Sequence, residues 1–184
     1  GQAKWSTHFD FNEDPAWTSF GSTPYGFSSS SNVSKQTAGE IGGRFSRIDS
    51  YGYYANTDLP STVNFDNAFN ATGFLDISNI TNPNQQMSVG YFNHELYEDA
   101  ERRTDATVRW GVARMLISES ASPTAPGLDS VRVQLDGPGF QSAALNLNQL
   151  TESSPIQWDL TYDPVGPKGH GQLRLELYAP TEIL

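Results

Sequence analysis

The chain contains no cysteine, and this absence excludes several kinds of site. The protein cannot form a disulfide, use a thiol as a nucleophile or bind zinc through thiolates. Its histidines are few and scattered, at His8, His94 and His170, and they match no local zinc-ligand spacing. A catalytic or metal site must therefore be built from carboxylates, amides, hydroxyls and single imidazoles.

Basic residues are scarce as well. The 11 Lys and Arg residues stand against 21 Asp and Glu residues, which gives a formal net charge of −10. Nucleic acids and anionic membrane surfaces attract proteins through basic patches that neutralise phosphates. The sequence therefore predicts no nucleic-acid partner.

Long apolar runs and strong helical periodicity are also missing. No run of 18 apolar residues occurs, so the sequence predicts no insertion into a membrane. The best helical candidate is NHELYEDAERR at 93–103, but it has too few apolar residues to form a stripe. We expect little helix in the fold.

What the chain does contain is typical of a β-protein. Aromatic residues make up 12% of it, and Ser, Thr, Asn and Gly fill much of the rest. Strands favour aromatic and β-branched residues, and their turns take small polar ones. Alternating or apolar segments bounded by turn residues predict strands at 5–11, 40–47, 51–56, 72–78, 86–93, 106–117, 130–136, 156–164 and 172–178. We therefore predict an all-β fold, a two-sheet antiparallel β-sandwich of the jelly-roll type, forming a single domain over residues 1–184.

The end of the chain also resembles a known family. The segment WDLTYDPVGPKGHGQLRLEL, residues 158–177, resembles the closing hairpin of concanavalin A-like (laminin G-like) jelly rolls, in which a Trp-bearing strand, a Gly-rich turn and a strand of alternating leucines follow one another. GEIGGRFSR at 39–47, with YYA at 53–55, resembles an early hairpin of the same family. The resemblance implies a curved double sheet. It also implies binding or cleavage of glycans, with calcium held in the loops of many members.

The candidate ligand site combines aromatic platforms with planar polar groups. Aromatic faces stack on the C–H surfaces of sugars, and amides, imidazoles and guanidinium groups bond the hydroxyls. The segment YFNHELYEDAERR at 91–103 leaves a strand and supplies several of these groups. The predicted ligand-binding residues are Arg44, Tyr53, Tyr54, Asn93, His94, Tyr97, Trp110 and Arg114.

An enzyme on the same fold stays an open alternative. A polysaccharide lyase needs groups that neutralise a uronate carboxylate and others that move its α-proton. Arg44 and Asn93 would serve the first purpose, and His94 and Tyr97 the second. A retaining glycoside hydrolase needs paired carboxylates about 5 Å apart. The strand motif E-x-D-x-x-E that would supply them is absent, so the lyase is the stronger enzyme alternative.

Calcium is the one cofactor for which the sequence offers ligands. Hard cations take six to eight oxygen ligands. An oxygen-rich run near the start, together with an aspartate before a late turn, forms a candidate site from Asp10, Asn12, Asp14 and Asp163.

The predicted function is an extracellular glycan-binding, lectin-like module of a secreted or cell-surface protein. Its partner would be a polysaccharide or another glycan. The alternatives are the polysaccharide lyase or glycoside hydrolase and, second, a structural or adhesive surface subunit. The oligomeric state is left open by the sequence and would discriminate the last alternative from the first.

Overall fold

The computed structural model describes residues 13–20, 25–27, 39, 41–43, 53–59, 64–75, 86–93, 111–120, 130–137, 140–147 and 156–178. It divides the chain into two compact units, residues 1–63 and 64–184. Within the described segments, the regular structure consists of β-strands and one 3₁₀ turn, Pro167–Gly169. No described helix is long and apolar enough to cross a membrane.

The first unit contains two short antiparallel pairs. Strand β1 (Thr18–Phe20) pairs with β4 (Tyr53–Ala55), and β2 (Tyr25–Gly26) pairs with β3 (Gly42–Gly43). Aromatic side chains pack around these pairs: the rings of Phe20 and Tyr53, which are cross-strand partners, stack with centroids 4.9 Å apart.

The second unit contains two larger antiparallel sheets. The five-stranded sheet has the order β10-β8-β7-β6, with β9 also pairing with β8. The three-stranded sheet has the order β12-β11-β5. The strands are β5 (Phe69–Leu75), β6 (Gln86–Phe92), β7 (Gly111–Ser120), β8 (Ser130–Gly137), β9 (Phe140–Gln141), β10 (Leu145–Leu147), β11 (Ile156–Asp163) and β12 (Gln172–Tyr178).

Both sheets of the second unit contribute to one hydrophobic cluster. Successive side chains of a strand point to opposite faces, so every second residue can be buried. The buried members of the cluster follow this rule and are Leu75, Ala113, Met115, Ile117, Val133, Leu135, Trp158 and Leu160. Leucines of β12 and apolar residues of β6 pack against them. In β11, this alternation places the polar residues Gln157, Asp159, Thr161 and Asp163 on the other face of the three-stranded sheet.

A close approach between Gly73 and Trp158 shapes the core side of the three-stranded sheet. The two residues are cross-strand partners. A Cβ atom at position 73 would lie 2.8 Å from Cζ2 of the indole. Because glycine has no side chain, the Trp158 ring can pack against β5 at this position, within the core cluster.

The turn between β11 and β12 fixes the register of these two strands. The Asp163 carboxylate accepts a hydrogen bond from the Val165 amide at 2.9 Å, which closes the first bend. Gly166 has φ of 49°, and a Cβ there would lie 2.0 Å from the carbonyl oxygen of His170. Only glycine fits this conformation. The turn then leads directly into the Asp163–Gln172 pair of the ladder.

The predicted all-β, antiparallel character with little helix is confirmed for the described segments. Strands overlap eight of the nine predicted segments, including Gln86–Phe92 and Gln172–Tyr178. The segment 5–11 lies outside the described residues. The sandwich or jelly-roll arrangement and the single domain over 1–184 stay predictions.

Candidate functional site

The polar face of the three-stranded sheet carries the strongest candidate site. Residues directly opposite one another on antiparallel strands point to the same face. The ladders of β11 with β5 and with β12 therefore order this face into rows that run across the strands. The rows are Phe74, Gln157 and Tyr178; then Thr72, Asp159 and Glu176; then Asn70, Thr161 and Arg174; and finally Asp163 with Gln172.

The first of these rows, here called the aromatic row, consists of Phe74, Gln157 and Tyr178. Gln157 is the cross-strand partner of both aromatic residues, so it lies between them. Phe74 is 61% exposed and Tyr178 is 44% exposed, and Gln157 is exposed as well. Neighbouring strands are about 4.8 Å apart, so the two rings are attached about 10 Å apart. The row is an open platform with an aromatic group at each end and an amide in the middle.

A polar network lies beside the aromatic row. The Tyr178 hydroxyl donates a short hydrogen bond to Oε2 of Glu176. Nε of Arg174 lies 3.0 Å from the other carboxylate oxygen of Glu176. The three side chains lie two residues apart on one strand, and alternation places them on one face. Tyr178 of the aromatic row is thus held in position by its hydrogen bond to Glu176 on the same strand.

The network changes the acidity of Tyr178. The hydrogen bond to Glu176 raises the pKa of the phenol above its ordinary value, and the charge of Asp159 acts in the same direction. The Arg174 guanidinium acts against them. The phenol therefore stays protonated at neutral pH and keeps its hydroxyl as a hydrogen-bonding group on the platform.

The face of the five-stranded sheet that carries Arg114 and Asp136 differs from the face with the aromatic row, because its charged groups are buried. Arg114 is the cross-strand partner of Asp136 on one side and Gly90 on the other. Its Nε donates to Oδ2 of Asp136 at 2.6 Å, and its Nη1 donates to the Ser88 hydroxyl at 3.0 Å. The Asp136 side chain is 2% exposed and that of Arg114 is 15% exposed. This is a buried ion pair, tied into the sheet on both sides.

Three of the predicted ligand-binding residues with described side chains already contact other side chains of the protein. Tyr53 stacks on Phe20. Tyr54 contacts Phe27 edge to face, with ring centroids 5.4 Å apart. Arg114 forms the buried pair with Asp136. Their role in ligand binding stays a prediction.

The segment after β6 is described only at its start. Asn93 follows the strand directly and is exposed. The remaining predicted ligand and lyase residues, Arg44, His94, Tyr97 and Trp110, lie outside the described residues. The structure therefore brings together no lyase constellation among the residues that it describes, and the lyase stays a hypothesis.

Two of the four predicted calcium ligands are described, and both accept hydrogen bonds from backbone amides. Oδ1 of Asp14 accepts from the Gly39 amide at 2.8 Å, and Oδ1 of Asp163 accepts from the Val165 amide. Asp10 and Asn12 lie outside the described residues. Within the described segments, no three Asp, Glu or His side chains are grouped so that they could hold a metal ion. Calcium binding stays a prediction.

Comparisons with protein-family models, curated protein sequences and solved structures found no significant match to this chain. The resemblance to concanavalin A-like jelly rolls thus rests on the sequence patterns at 158–177, 39–47 and 53–55. The evidence for a function therefore comes from the geometry of the described sheet faces.

Sequence reasoning missed the aromatic row, although part of the pattern was visible. In β5, FNATGFL, the even-numbered residues Asn70, Thr72 and Phe74 share one face, and the first two of these are polar. A phenylalanine on a polar face is unusual and could have been noticed. That Phe74 lies across β11 from Tyr178 could not, because residues 74 and 178 meet only through the pairing of β11 with both neighbours.

Proposed function

We propose that this protein is a glycan-binding module and that the aromatic row is its binding platform. The observation that carries the proposal is the exposure of Phe74 and Tyr178 on either side of Gln157, on an otherwise polar face. Aromatic side chains are normally buried because each removes a large apolar area from water. Two exposed rings in one row therefore favour a ligand that covers them.

The chemistry of the row fits a sugar better than an apolar partner. The face of an aromatic ring is electron-rich and attracts the C–H groups of a pyranose. The Gln157 amide offers both a donor and an acceptor for hydroxyl groups. The separation of about 10 Å between the two attachment points suits an oligosaccharide of three or more sugars that runs across the strands, with one sugar ring on each aromatic ring and another between them, over Gln157.

A protein-protein interface is a weaker explanation for this face. Stable interfaces bury about 800 Å² on each partner and have an apolar centre. Here the neighbouring rows are polar or charged, with Thr72, Asp159 and Glu176 next to the aromatic row. The structural or adhesive subunit therefore stays the second alternative, and a protein that remains monomeric at high concentration would argue against it.

The same face gives one observation in favour of a glycoside hydrolase. Asp159 and Glu176 are cross-strand partners, and such partners have Cβ atoms about 5 Å apart. Retaining hydrolases hold their two carboxyl groups at a similar separation. Both carboxylates lie on an open sheet, and the Glu176 side chain is 38% exposed, so binding is the better supported function.

Fold and location complete the proposal. The shared cluster of the two sheets supports a β-sandwich, and the hairpin of β11 and β12 is the part that resembles the concanavalin A-like jelly rolls. The acidic composition, rich in Ser, Thr and Asn, suits a secreted or cell-surface module.

The proposal is tested by retention on insoluble polysaccharides. Cellulose, chitin, starch, xylan, mannan and a β-1,3-glucan would be incubated with the wild type, with the double variant Phe74→Ala/Tyr178→Ala and with Leu145→Ala as the control. Leu145 is 55% exposed but belongs to the five-stranded sheet. We expect at least one polysaccharide to retain the wild type and the control but not the double variant. Equal retention of all three proteins would contradict the platform.

The same tubes distinguish binding from cleavage. New reducing ends would indicate a hydrolase, and their loss in Asp159→Asn would assign it to the carboxylate pair. Products that absorb in the ultraviolet would indicate a lyase. The binding proposal expects neither signal.

A further inference from the structure

We infer that the platform selects against anionic glycans, so that its ligands are glycans without uronate or sulfate groups. This inference rests on the proposed function, because it concerns what the same platform accepts. It follows from the positions of charged side chains relative to the aromatic row.

Negative charge predominates on the polar face of the three-stranded sheet. The described charged residues of this face are Asp159, Asp163, Glu176 and Arg174, so three carboxylates and one guanidinium leave a formal charge of −2. The net charge of the whole chain, −10, has the same sign. Because the charge of this face and the net charge of the chain have the same sign, both repel an anionic ligand.

The order of the rows determines which charged side chains lie nearest to a bound glycan. Side chains on one face of a strand recur every second residue, which is about 7 Å. Asp159 and Glu176 are therefore about 7 Å from the aromatic row, and Arg174 is about 14 Å from it. A glycan on the row reaches the carboxylates before the guanidinium.

Arg174 is also compensated where it stands. Its Nε lies 3.0 Å from the Glu176 carboxylate, so its positive charge is neutralised by a residue of the same strand. Asp159 accepts a hydrogen bond from the Thr161 hydroxyl at 3.3 Å, which is a neutral donor. The uncompensated charge nearest to the platform is therefore that of Asp159, and it is negative.

Lys168, the other described lysine or arginine in the segment from β11 to β12, is too distant to reverse the effect. Lys168 belongs to the turn that joins β11 to β12, beyond the Asp163–Gln172 pair. That pair is six residues from the aromatic row, or about 20 Å along the sheet. Charges at such a distance are largely screened at physiological ionic strength.

The experiment uses glucose tetramers that differ only in charge. Cellotetraose, laminaritetraose and maltotetraose would each be compared with the same tetramer oxidised at C6 to the uronic acid, by calorimetric titration at low salt. We expect the neutral member to bind more tightly by about threefold or more, because two unit charges 7 Å apart in water repel by that order. High salt should reduce the difference.

Two isosteric variants locate the effect. Asp159→Asn should raise affinity for the oxidised tetramer by about threefold. Asp163→Asn should leave the ratio of the two affinities unchanged, because residue 163 is about 14 Å further along the strand. In each variant the amide oxygen can still accept the local hydrogen bond, from Thr161 or from Val165.

The outcomes separate the inference from the proposed function. If an oxidised tetramer binds as tightly as its neutral counterpart or more tightly, the charge selection is wrong while glycan binding stands. An unchanged ratio in Asp159→Asn would also overturn the inference. If no tetramer of either kind binds and no polysaccharide retains the protein, the proposed function fails, and the inference fails with it.

Discussion

The described part of the second unit contains two arginine–carboxylate pairs, one in each sheet, and they differ in distance, in exposure and in the strands that they join. The Arg114–Asp136 pair has an N–O distance of 2.6 Å and side chains that are 15% and 2% exposed. The Arg174–Glu176 pair has a distance of 3.0 Å and side chains that are 60% and 38% exposed. The first joins two neighbouring strands, whereas the second joins two residues of one strand.

This difference separates a structural site from a surface available to a ligand. A buried charge must keep its partner, because an unpaired charge in a low-dielectric environment is strongly unfavourable. An exposed pair contributes little to stability and can exchange its partner for a ligand or for water. The face with the exposed pair is also the face with the aromatic row. We therefore assign stability to the Arg114 face and binding to the Tyr178 face.

The largest expected effect is the loss of the buried carboxylate. Asp136→Ala would remove the carboxylate that lies 2.6 Å from Nε of Arg114 and should lower the free energy of unfolding by about 3–5 kcal/mol. Urea denaturation measures this change. The matched control on the other face is Glu176→Ala, which should cost about 1 kcal/mol or less. Equal losses in the two variants would remove the distinction between the faces.

A double replacement sharpens the same test. Arg114→Met combined with Asp136→Leu removes both charges and keeps side-chain volume. Replacement of a buried ion pair by apolar residues is often neutral or stabilising, so we expect the double variant to recover most of the stability lost in Asp136→Ala. A double variant as unstable as the single one would show that the loss does not come from an unpaired charge.

The next effect concerns the core beneath the binding face. Gly73→Ala would place a Cβ 2.8 Å from the Trp158 ring, which has to shift within a packed core. Such overpacking costs about 1–3 kcal/mol. The clash involves Cζ2, an atom that phenylalanine lacks. Gly73→Ala should therefore lower the free energy of unfolding clearly less in a Trp158→Phe background than in the wild type. If the losses from the two substitutions simply add, as measured by thermal or urea unfolding, this packing is contradicted.

A smaller effect is expected from Arg174→Ala. The guanidinium is well exposed and pairs with a neighbour on its own strand, so its removal should change the free energy of unfolding by about 1 kcal/mol or less. The control is Arg114→Ala, which leaves the Asp136 carboxylate buried and should cost several kcal/mol. Urea unfolding of the two variants side by side is sufficient. A large loss for Arg174→Ala would indicate a structural role for the binding face.

The smallest effect is a shift in the titration of Tyr178. The hydrogen bond to Glu176 raises the pKa of this phenol, so the protonated form is favoured in the folded protein. The stability from this contact is present below the ordinary tyrosine pKa, about 10, and is lost as the pH rises through the raised value. Glu176→Ala should lower the pKa of Tyr178, and Arg174→Ala should raise it further. Tyrosine ring NMR signals followed against pH report both shifts, and an unchanged pKa in Glu176→Ala would contradict the hydrogen bond.

Local periodicity was sufficient to predict the composition of each face. In β12, Leu173, Leu175 and Leu177 alternate with polar residues and pack against the core cluster, which also contains Trp158. His170, which lies in a glycine-flanked turn, is exposed. These features depend on residues that are close in sequence.

What the sequence could not show depends on pairing between distant strands. Alternation along β8 places Asp136 on the face opposite Val133 and Leu135, but local periodicity does not show that its side chain is buried, with 1% exposure. The register of β11 with β5 and β12 assembles the aromatic row, and no local pattern encodes that register. His94 and Tyr97 of the sequence-predicted site lie outside the described residues, and that site stays a prediction.

The most direct test of the binding platform is a titration of single-ring variants. The glycan that retains the wild-type protein, in soluble oligosaccharide form, would be titrated into the wild type, Phe74→Ala, Tyr178→Ala and Leu145→Ala. We expect the removal of either ring to weaken binding at least tenfold, as for a residue that contributes strongly to a binding site. The free energy of unfolding, measured in urea, should change by about 0.5 kcal/mol or less. Leu145→Ala should bind as the wild type does. Unchanged affinity in both ring variants would contradict the assignment of this face to glycan binding.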